Sequence, residues 1–407
     1  MDFSLSDDQR LIRDNVRRFM ETEVRAHIRQ NDREEKFAGA EIRRLGELGC
    51  CGMLIPEEWG GAGLDTISYV LMLEEVARVD ASMAVALSVT NSVVAWPLWR
   101  HGNDAQRQKY LPRLARGEIL GAFCLTEPQA GSDAAAIEAQ AVRRGKSYRL
   151  NGTKSWVTNG GESGVYLVFA KADSGCGGPG AAGKAVTAFL VEPSFSGFRV
   201  SRYEDKMGLR SSRSAEIVFA DCEVPEENRL GPEGQGLKIA FEALDGGRVG
   251  IAAQAVGLAQ GALEAATRYA KERRAFSKTI GEFQAIQFML ADMQTEIEAA
   301  RLLVWQAAQM RDAGFSRAGA FASRAKLFAS EMANRVAYKA VQIHGSMGYS
   351  RESDVERMYR DARVLSIYEG TSEIQRMIIA RDLLGREKRE SDTPAHDAPE
   401  SALRGAR

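Results

Sequence analysis

Residues 148–170 read YRLNGTKSWVTNGGESGVYLVFA. Two short β-branched or aromatic runs, Tyr148-Arg149-Leu150 and 165–170, are separated by Asn and Gly, a pattern of strands and turns rather than helix. Similar runs at 186–191 and 216–219 extend this texture from about Gly121 to Gly231. On either side the helical period takes over. Ser6-Asp7-Asp8-Gln9 has capping-box spacing, and Leu11, Ile12, Val16, Phe19, Met20 and Val24 then recur as one helical face. Further helical patterns run over 40–48, 67–79 and 104–115, and beyond Pro232 over 236–274, 282–314, 317–344 and 372–384. The expected fold is therefore α+β: an N-terminal all-α domain (1–120), a middle β-barrel or sandwich domain (121–231) and a C-terminal four-helix-bundle domain (232–385). The polar stretch 386–407, with Pro394 and Pro399, reads as a disordered tail.

Composition bounds the function. At 407 residues the chain is long enough for two to three domains, and 44% apolar with 27% charged residues is ordinary for a globular protein. Lys and Arg total 54 against 55 Asp and Glu, a net charge of −1, so no global field favours nucleic acid. Five cysteines with no C-x-x-C pair suggest reduced thiols, and four histidines give little material for a metal site. The start, MDFSLSDDQR, is acidic and lacks an apolar core, which leads us to expect a cytoplasmic protein. The apolar stretch 81–99 has the length of a membrane span but contains Ser88, Thr90, Asn91, Ser92 and Pro97, so a buried helix is expected and no membrane span.

Three segments carry polar chemistry. Cys124-Leu125-Thr126-Glu127-Pro128-Gln129-Ala130-Gly131-Ser132-Asp133 packs hydroxyls and carboxylates into one turn, which suits a polar ligand or, equally, the start of a helix. Trp156-Val157-Thr158 puts an aromatic and a hydroxyl on the same side of a strand, able to cover a flat ring and bond its edge; a core Trp in a hairpin would look the same. Ile367-Tyr368-Glu369-Gly370-Thr371-Ser372-Glu373-Ile374-Gln375 sets a carboxylate on a glycine turn before a helix, with capping-box spacing from Ser372 to Gln375. Behind an apolar pair, Glu369 could enter a dry pocket and become a useful base, although most glutamates stay solvated. The G-x-G-x-x-G string 175–180 is a decoy, since β sequence follows it where a phosphate-binding helix would have to start.

These segments, in this order on an α-β-α chain, resemble the acyl-CoA dehydrogenase family from Ser4 to Gly385. The resemblance implies FAD between the β domain and the C-terminal helices. Phe123, Leu125, Thr126, Ser132, Trp156, Val157 and Thr158 would wall the isoalloxazine. Arg273, Phe276 and Gln284 would reach the FAD of a neighbouring subunit, and Gln342, Ile343, Gly345 and Ser346 the adenosine end. Thr371, Ser372 and Glu373 would complete the shell. Ser132, Asp245, Arg248, Tyr368 and Gly370 would contact acyl-CoA, with Asp245 and Arg248 forming the family's D-x-x-R element. Some branches of the family place the base immediately before this Arg, where Gly247 stands here; others use the position of Glu369. Only the second position is filled, and the run 244–265 looks most like the short-chain branch.

By the same resemblance Glu369 takes the α-proton while hydride leaves the β-carbon for flavin N5, yielding a trans-2-enoyl-CoA. The Glu369 amide and a flavin hydroxyl would stabilise the enolate. A homotetramer or homodimer is implied, with an electron-transfer flavoprotein as acceptor and a place in β-oxidation. Absence of a basic residue in 81–99 disfavours a dicarboxylic acyl group, while straight butyryl and small branched groups stay open. An acyl-CoA oxidase is an alternative that the sequence does not separate. A nitroalkane oxidase would carry Asp at 369, and a DNA-associated flavoprotein a basic face.

Overall fold

The computed structural model describes residues 4–172 and 185–385. The decoy string 175–180 and the tail 386–407 lie outside the described residues. The N-terminal part is helical: α1 (Asp7–Phe19), α2 (Ile28–Glu34), α3 (Gly39–Glu47), α4 (Thr66–Val79), α5 (Ala81–Ser88), α6 (Trp96–His101) and α7 (Asp104–Ala115). Ser6 caps α1 in the expected box, with Gln9 N donating to Ser6 Oγ at 3.1 Å and Ser6 N to Gln9 Oε1 at 3.0 Å. The apolar stretch 81–99 forms α5, a π-helical turn (Val89–Ala95) and most of α6, and 94% of its most apolar window is buried inside the protein. Its hydroxyls bond helix carbonyls, Thr90 Oγ1 to Ala86 O (3.0 Å) and Ser92 Oγ to Ser88 O (2.6 Å), which removes the cost of burying them. It is a core helix.

The middle part is one eight-stranded sheet: β1 (Leu120–Cys124), β2 (Gln140–Arg144), β3 (Ser147–Thr158), β4 (Ser163–Ala172), β5 (Ala185–Val191), β6 (Phe198–Tyr203), β7 (Ser214–Pro225) and β8 (Arg229–Leu230). Its order is β6-β7-β3-β2-β4-β5-β8, with β1 parallel to β4. Strands β4 and β6 are distant in that order, yet the rings of Tyr166 and Phe198 sit 4.7 Å apart. The sheet therefore folds back on itself as a sandwich around Tyr148, Val157, Val168, Phe189, Ile217 and Phe219. Strand β6 is short and mostly exposed, with only Phe198 and Val200 packed against the sheet core, so its alternation is too brief to stand out in sequence.

The C-terminal part holds α8 (Gly236–Glu272), α9 (Gln284–Asp312), α10 (Ala318–His344), α11 (Asp354–Ala362) and α12 (Ser372–Leu384), α11 being an addition to the four expected helices. Helix α8 runs through the middle, packed against α4, α9 and α10. Its small residues make this possible. A Cβ on Gly257 would overlap Glu74 O, and one on Gly261 would overlap Arg78 O, so α4 lies directly on the α8 backbone. Asn159 ties the sheet to this helical mass by donating from Nδ2 to Ala86 O and Gly121 O, each at 3.0 Å.

Gly257→Val is expected to destabilise the protein by about 1–3 kcal/mol through overpacking of the α4–α8 crossing. Urea denaturation checks this, an unchanged midpoint being the contrary result.

Candidate active site

Glu369 occupies the turn between a 3-10 segment (Arg363–Ser366) and α12. Its φ is 51° and that of Gly370 is 92°, so two successive residues are left-handed. Glycine tolerates this conformation; glutamate adopts it reluctantly, and here the turn is clamped. Gln375 Nε2 donates to Glu369 O at 3.2 Å and to Gly370 O at 2.9 Å, while Lys326 Nζ donates to Gly370 O at 2.8 Å. The expected capping box is displaced by one residue. Thr371 is the N-cap, accepting from Ile374 N at 3.4 Å, and Gln375 is drawn away to the turn carbonyls.

The carboxylate meets α8. Glu369 Oε2 is buried without a hydrogen-bond partner, and a Cβ on Gly247 would overlap it. Burial raises the Glu369 pKa to about 7, against the opposing pull of the Lys326 and Arg248 cations. The two alternative positions for a base thus point into one space, and a side chain at 247 excludes the carboxylate of Glu369. One turn on, a Cβ on Gly250 would overlap Ser88 Oγ and come within 2.6 Å of Tyr69 Oη. Next on the same face is Gln254, fully buried, donating to Ala81 O at 2.7 Å and accepting from Tyr368 Oη at 2.5 Å. Asp245 and Arg248 form an ion pair at 2.5 Å across one helical turn, leaving Arg248 Nε buried and unbonded.

Residues 81–99 carry no basic side chain, yet the fold sets one beside them. Arg311, on α9, lies with its guanidinium 4.4 Å from the Trp96 ring and against Gly246, its Nη2 buried and unbonded. Only the folded bundle brings this charge beside a stretch whose own sequence has none.

The other two segments meet at the edge of the sheet. Ser155 N donates to Thr126 O at 2.9 Å, and the fully buried Lys154 donates to Leu125 O at 3.0 Å while pairing with Glu127 at 2.7 Å. Glu127 is held in turn by the amides of Glu138 (2.6 Å) and Ala139 (2.9 Å). Strand β3 bulges between Lys154 and Val157, where Trp156 has φ 58°. Val157 enters the sheet core; Trp156 and Thr158 stay outside it, as their spacing predicted. Trp156 is 60% exposed, and a Cβ on the exposed Gly131 would touch nothing within 4 Å. A wide apolar ring left proud of a sheet beside open space fits a flat ligand.

Residues 6–118, 122–222 and 234–384 match the N-terminal, middle and C-terminal domains of acyl-CoA dehydrogenases. The chain belongs to the acyl-CoA dehydrogenase family. It is 43% identical over 380 residues to a short-chain specific acyl-CoA dehydrogenase of Clostridium acetobutylicum, covering 93% of this chain and 99% of that one. Butyryl-CoA dehydrogenase from Megasphaera elsdenii superposes with a TM-score of 0.91 at 43% identity, over 95% of this chain and all of the other. A chain from a structure of the electron transferring flavoprotein of Acidaminococcus fermentans gives 0.91 at 46% identity, over 95% and 100%. The protein is thus an oxidoreductase of acyl-CoA, with FAD as its cofactor.

Not every expected residue gathers at one place. Phe123, Leu125, Thr126, Trp156, Val157 and Thr158 share the sheet edge, whereas Glu369, Gly370, Thr371, Ser372 and Glu373 share the turn before α12. Arg273 and Phe276 lie at an exposed hairpin between α8 and α9, Phe276 being 90% exposed, and Gln284 opens α9. Gln342, Ile343, Gly345 and Ser346 end α10, where His344 stacks on Tyr269 at 4.3 Å. Sequence reading missed Lys326, Gln254 and Lys154, because each acts on a carbonyl or side chain remote in the chain, and it gave Gln375 a capping role where its amide instead bonds the carbonyls of Glu369 and Gly370.

Gly247→Ala is expected to push the Glu369 carboxylate aside and lower turnover on the order of 100-fold, with FAD retained. Flavin absorbance and acyl-CoA turnover of the variant check this.

Proposed function

We propose that this dehydrogenase acts on short acyl-CoA thioesters with Glu369 as the α-proton base. The single observation that carries this reading is the buried, unbonded Glu369 Oε2 facing Gly247. With its pKa raised to about 7, the carboxylate has more basicity than an exposed glutamate and is still ionised above neutrality. The Glu369 amide stabilises the charge that gathers on the thioester oxygen, which makes the α-proton acidic enough to leave. Bound FAD supplies the acceptor for hydride from the β-carbon, and the product is a trans-2-enoyl-CoA.

A short acyl group is supported by α8. Tyr69 and Ser88 close over its face at Gly250, and Gln254, tied to Ala81 and Tyr368, closes it one turn beyond, which leaves little length for an acyl chain past Glu369. Ser132, Asp245, Arg248, Tyr368 and Gly370 would hold the thioester and its CoA. Phe123 to Thr126, Ser132, Trp156 to Thr158 and Thr371 to Glu373 would hold the flavin. A second reading draws on Arg311, whose free Nη2 suits an acyl group ending in a carboxylate. Parallel turnover of butyryl-, isobutyryl-, 2-methylbutyryl- and glutaryl-CoA separates these substrates.

Helix α10 supports a shared site. Lys326, at the Glu369 turn, and His344, beside the adenosine segment, are 18 residues apart on one helix, roughly 27 Å at 1.5 Å per residue. That separates the adenosine segment at the end of α10 from the Glu369 turn packed at Lys326 inside it, and by family likeness a homo-oligomer, a tetramer, would close each site with Arg273, Phe276 and Gln284 of a neighbour. An electron-transfer flavoprotein is the proposed acceptor, in a cytoplasmic setting.

Glu369→Gln is expected to keep its yellow colour and lose anaerobic bleaching by butyryl-CoA; undiminished bleaching rejects Glu369 as base. In the native enzyme the bleaching rate should rise with pH through about 7 as Glu369 loses its proton, and a rate falling over that range counts against the assignment. Arg273→Ala is expected to loosen FAD and subunit association together, read by gel filtration with a flavin count.

A further inference from the structure

The turn that carries Glu369 is held from behind by a buried cation outside every segment so far assigned to cofactor or substrate. Lys326 lies inside α10, 0% exposed, with Ala322, Ala325, Ala329 and Ala333 around it on the same helix, all buried. An ammonium in such surroundings is costly unless paired. Among the described residues its one direct partner is a backbone carbonyl, Gly370 O at 2.8 Å, which already accepts from Gln375 Nε2 at 2.9 Å. An alanine-lined helix could have spanned this place with an apolar side chain. Two donors instead converge on the peptide that follows Gly370, at the point where two left-handed residues would otherwise relax. The carbonyl they fix belongs to the same turn whose carboxylate must stay within the space left by Gly247.

We propose that Lys326 is a positioning residue for the dehydrogenation, its ammonium on Gly370 O holding the turn so that the Glu369 carboxylate faces Gly247. This rests on the reading of Glu369 as the base. The charge has a second effect. Among the cations acting on Glu369, Lys326 pulls its pKa down most, followed by Arg248. Burial in turn lowers Lys326 to about 8, against the opposing influence of Glu369. The other titratable groups facing the pair are Arg248 on α8, Tyr69 on α4, Tyr368 in the turn, Glu331 on α10 and Glu373 on α12. Removing the ammonium leaves Arg248 as the remaining cation named here, so Glu369 must ionise at higher pH.

The test compares native holoenzyme with Lys326→Met, which lacks donor and charge, and Lys326→Gln, which keeps an amide donor without the charge. Anaerobic bleaching by butyryl-CoA is followed across pH, together with FAD content and binding of the enoyl-CoA product. Both variants are expected to stay yellow and bind product. The ascending limb of bleaching against pH should move up by about one unit, slowing the reaction at least about fivefold at pH 7. Gln should recover part of the maximal rate and none of the displacement. The proposal is overturned by a yellow variant with native rate and limb, or by loss of FAD in both variants. Glu369→Gln run alongside separates the two claims: if it bleaches normally the base assignment fails, and if it is inert while Lys326→Met behaves as native, only the positioning role fails.

Discussion

The absence of side chains along one face of α8 is the constraint from which the rest of this molecule follows. At Gly257 and Gly261 the missing Cβ lets α4 rest on bare backbone; at Gly250 it admits Tyr69 and Ser88; at Gly247 it admits a carboxylate. A helix face of this kind gives up apolar area and side-chain packing, and the central position of α8 between α4, α9 and α10 restores both by close approach of its neighbours. The same feature that joins the N-terminal and C-terminal helices therefore also makes the space in which a base can stand away from water. Stability and chemistry share one surface.

Two buried lysines perform matching tasks on opposite sides of that space. Lys154 bonds Leu125 O and joins the segment 124–133 to the strand carrying Trp156, while Lys326 bonds Gly370 O behind Glu369. Their surroundings differ. Lys154 has a full ion-pair partner in Glu127, itself held by two backbone amides, and breaking such a buried pair from one side costs about 3–5 kcal/mol. Lys326 has a carbonyl and, through space, the carboxylate of Glu369, so its charge is coupled to the titration of that carboxylate. One lysine fixes architecture; the other is poised to affect titration.

Arg311 and the bulge at Trp156 illustrate what distance along the chain conceals. Trp156 leaves the regular sheet because β3 gains residues relative to β7, and its left-handed backbone turns the ring outward. Arg311 reaches Trp96 from more than 200 residues away. Neither effect follows from local composition. The cation beside residues 81–99 escapes a local reading for that reason: a window of sequence bounds the charge on one helix, whereas a pocket is bounded by several.

The order of α, β and α segments, the capping box at Ser6, the core character of residues 81–99 and the turn carrying Glu369 were legible in sequence, since each depends on periodicity or residue type within a few positions. That position 247 holds Gly and position 369 holds Glu is likewise a matter of sequence alone. Strands such as β6, six residues long and mostly exposed, gave too brief an alternation to read. The displaced cap at Thr371, the clamps from Lys326 and Gln375, and the stop at Gln254 were decided by tertiary structure alone. Hydrogen bonds to a carbonyl and the desolvation of a carboxylate depend on which atoms arrive from other elements, and residue identity along a chain does not encode that distance directly.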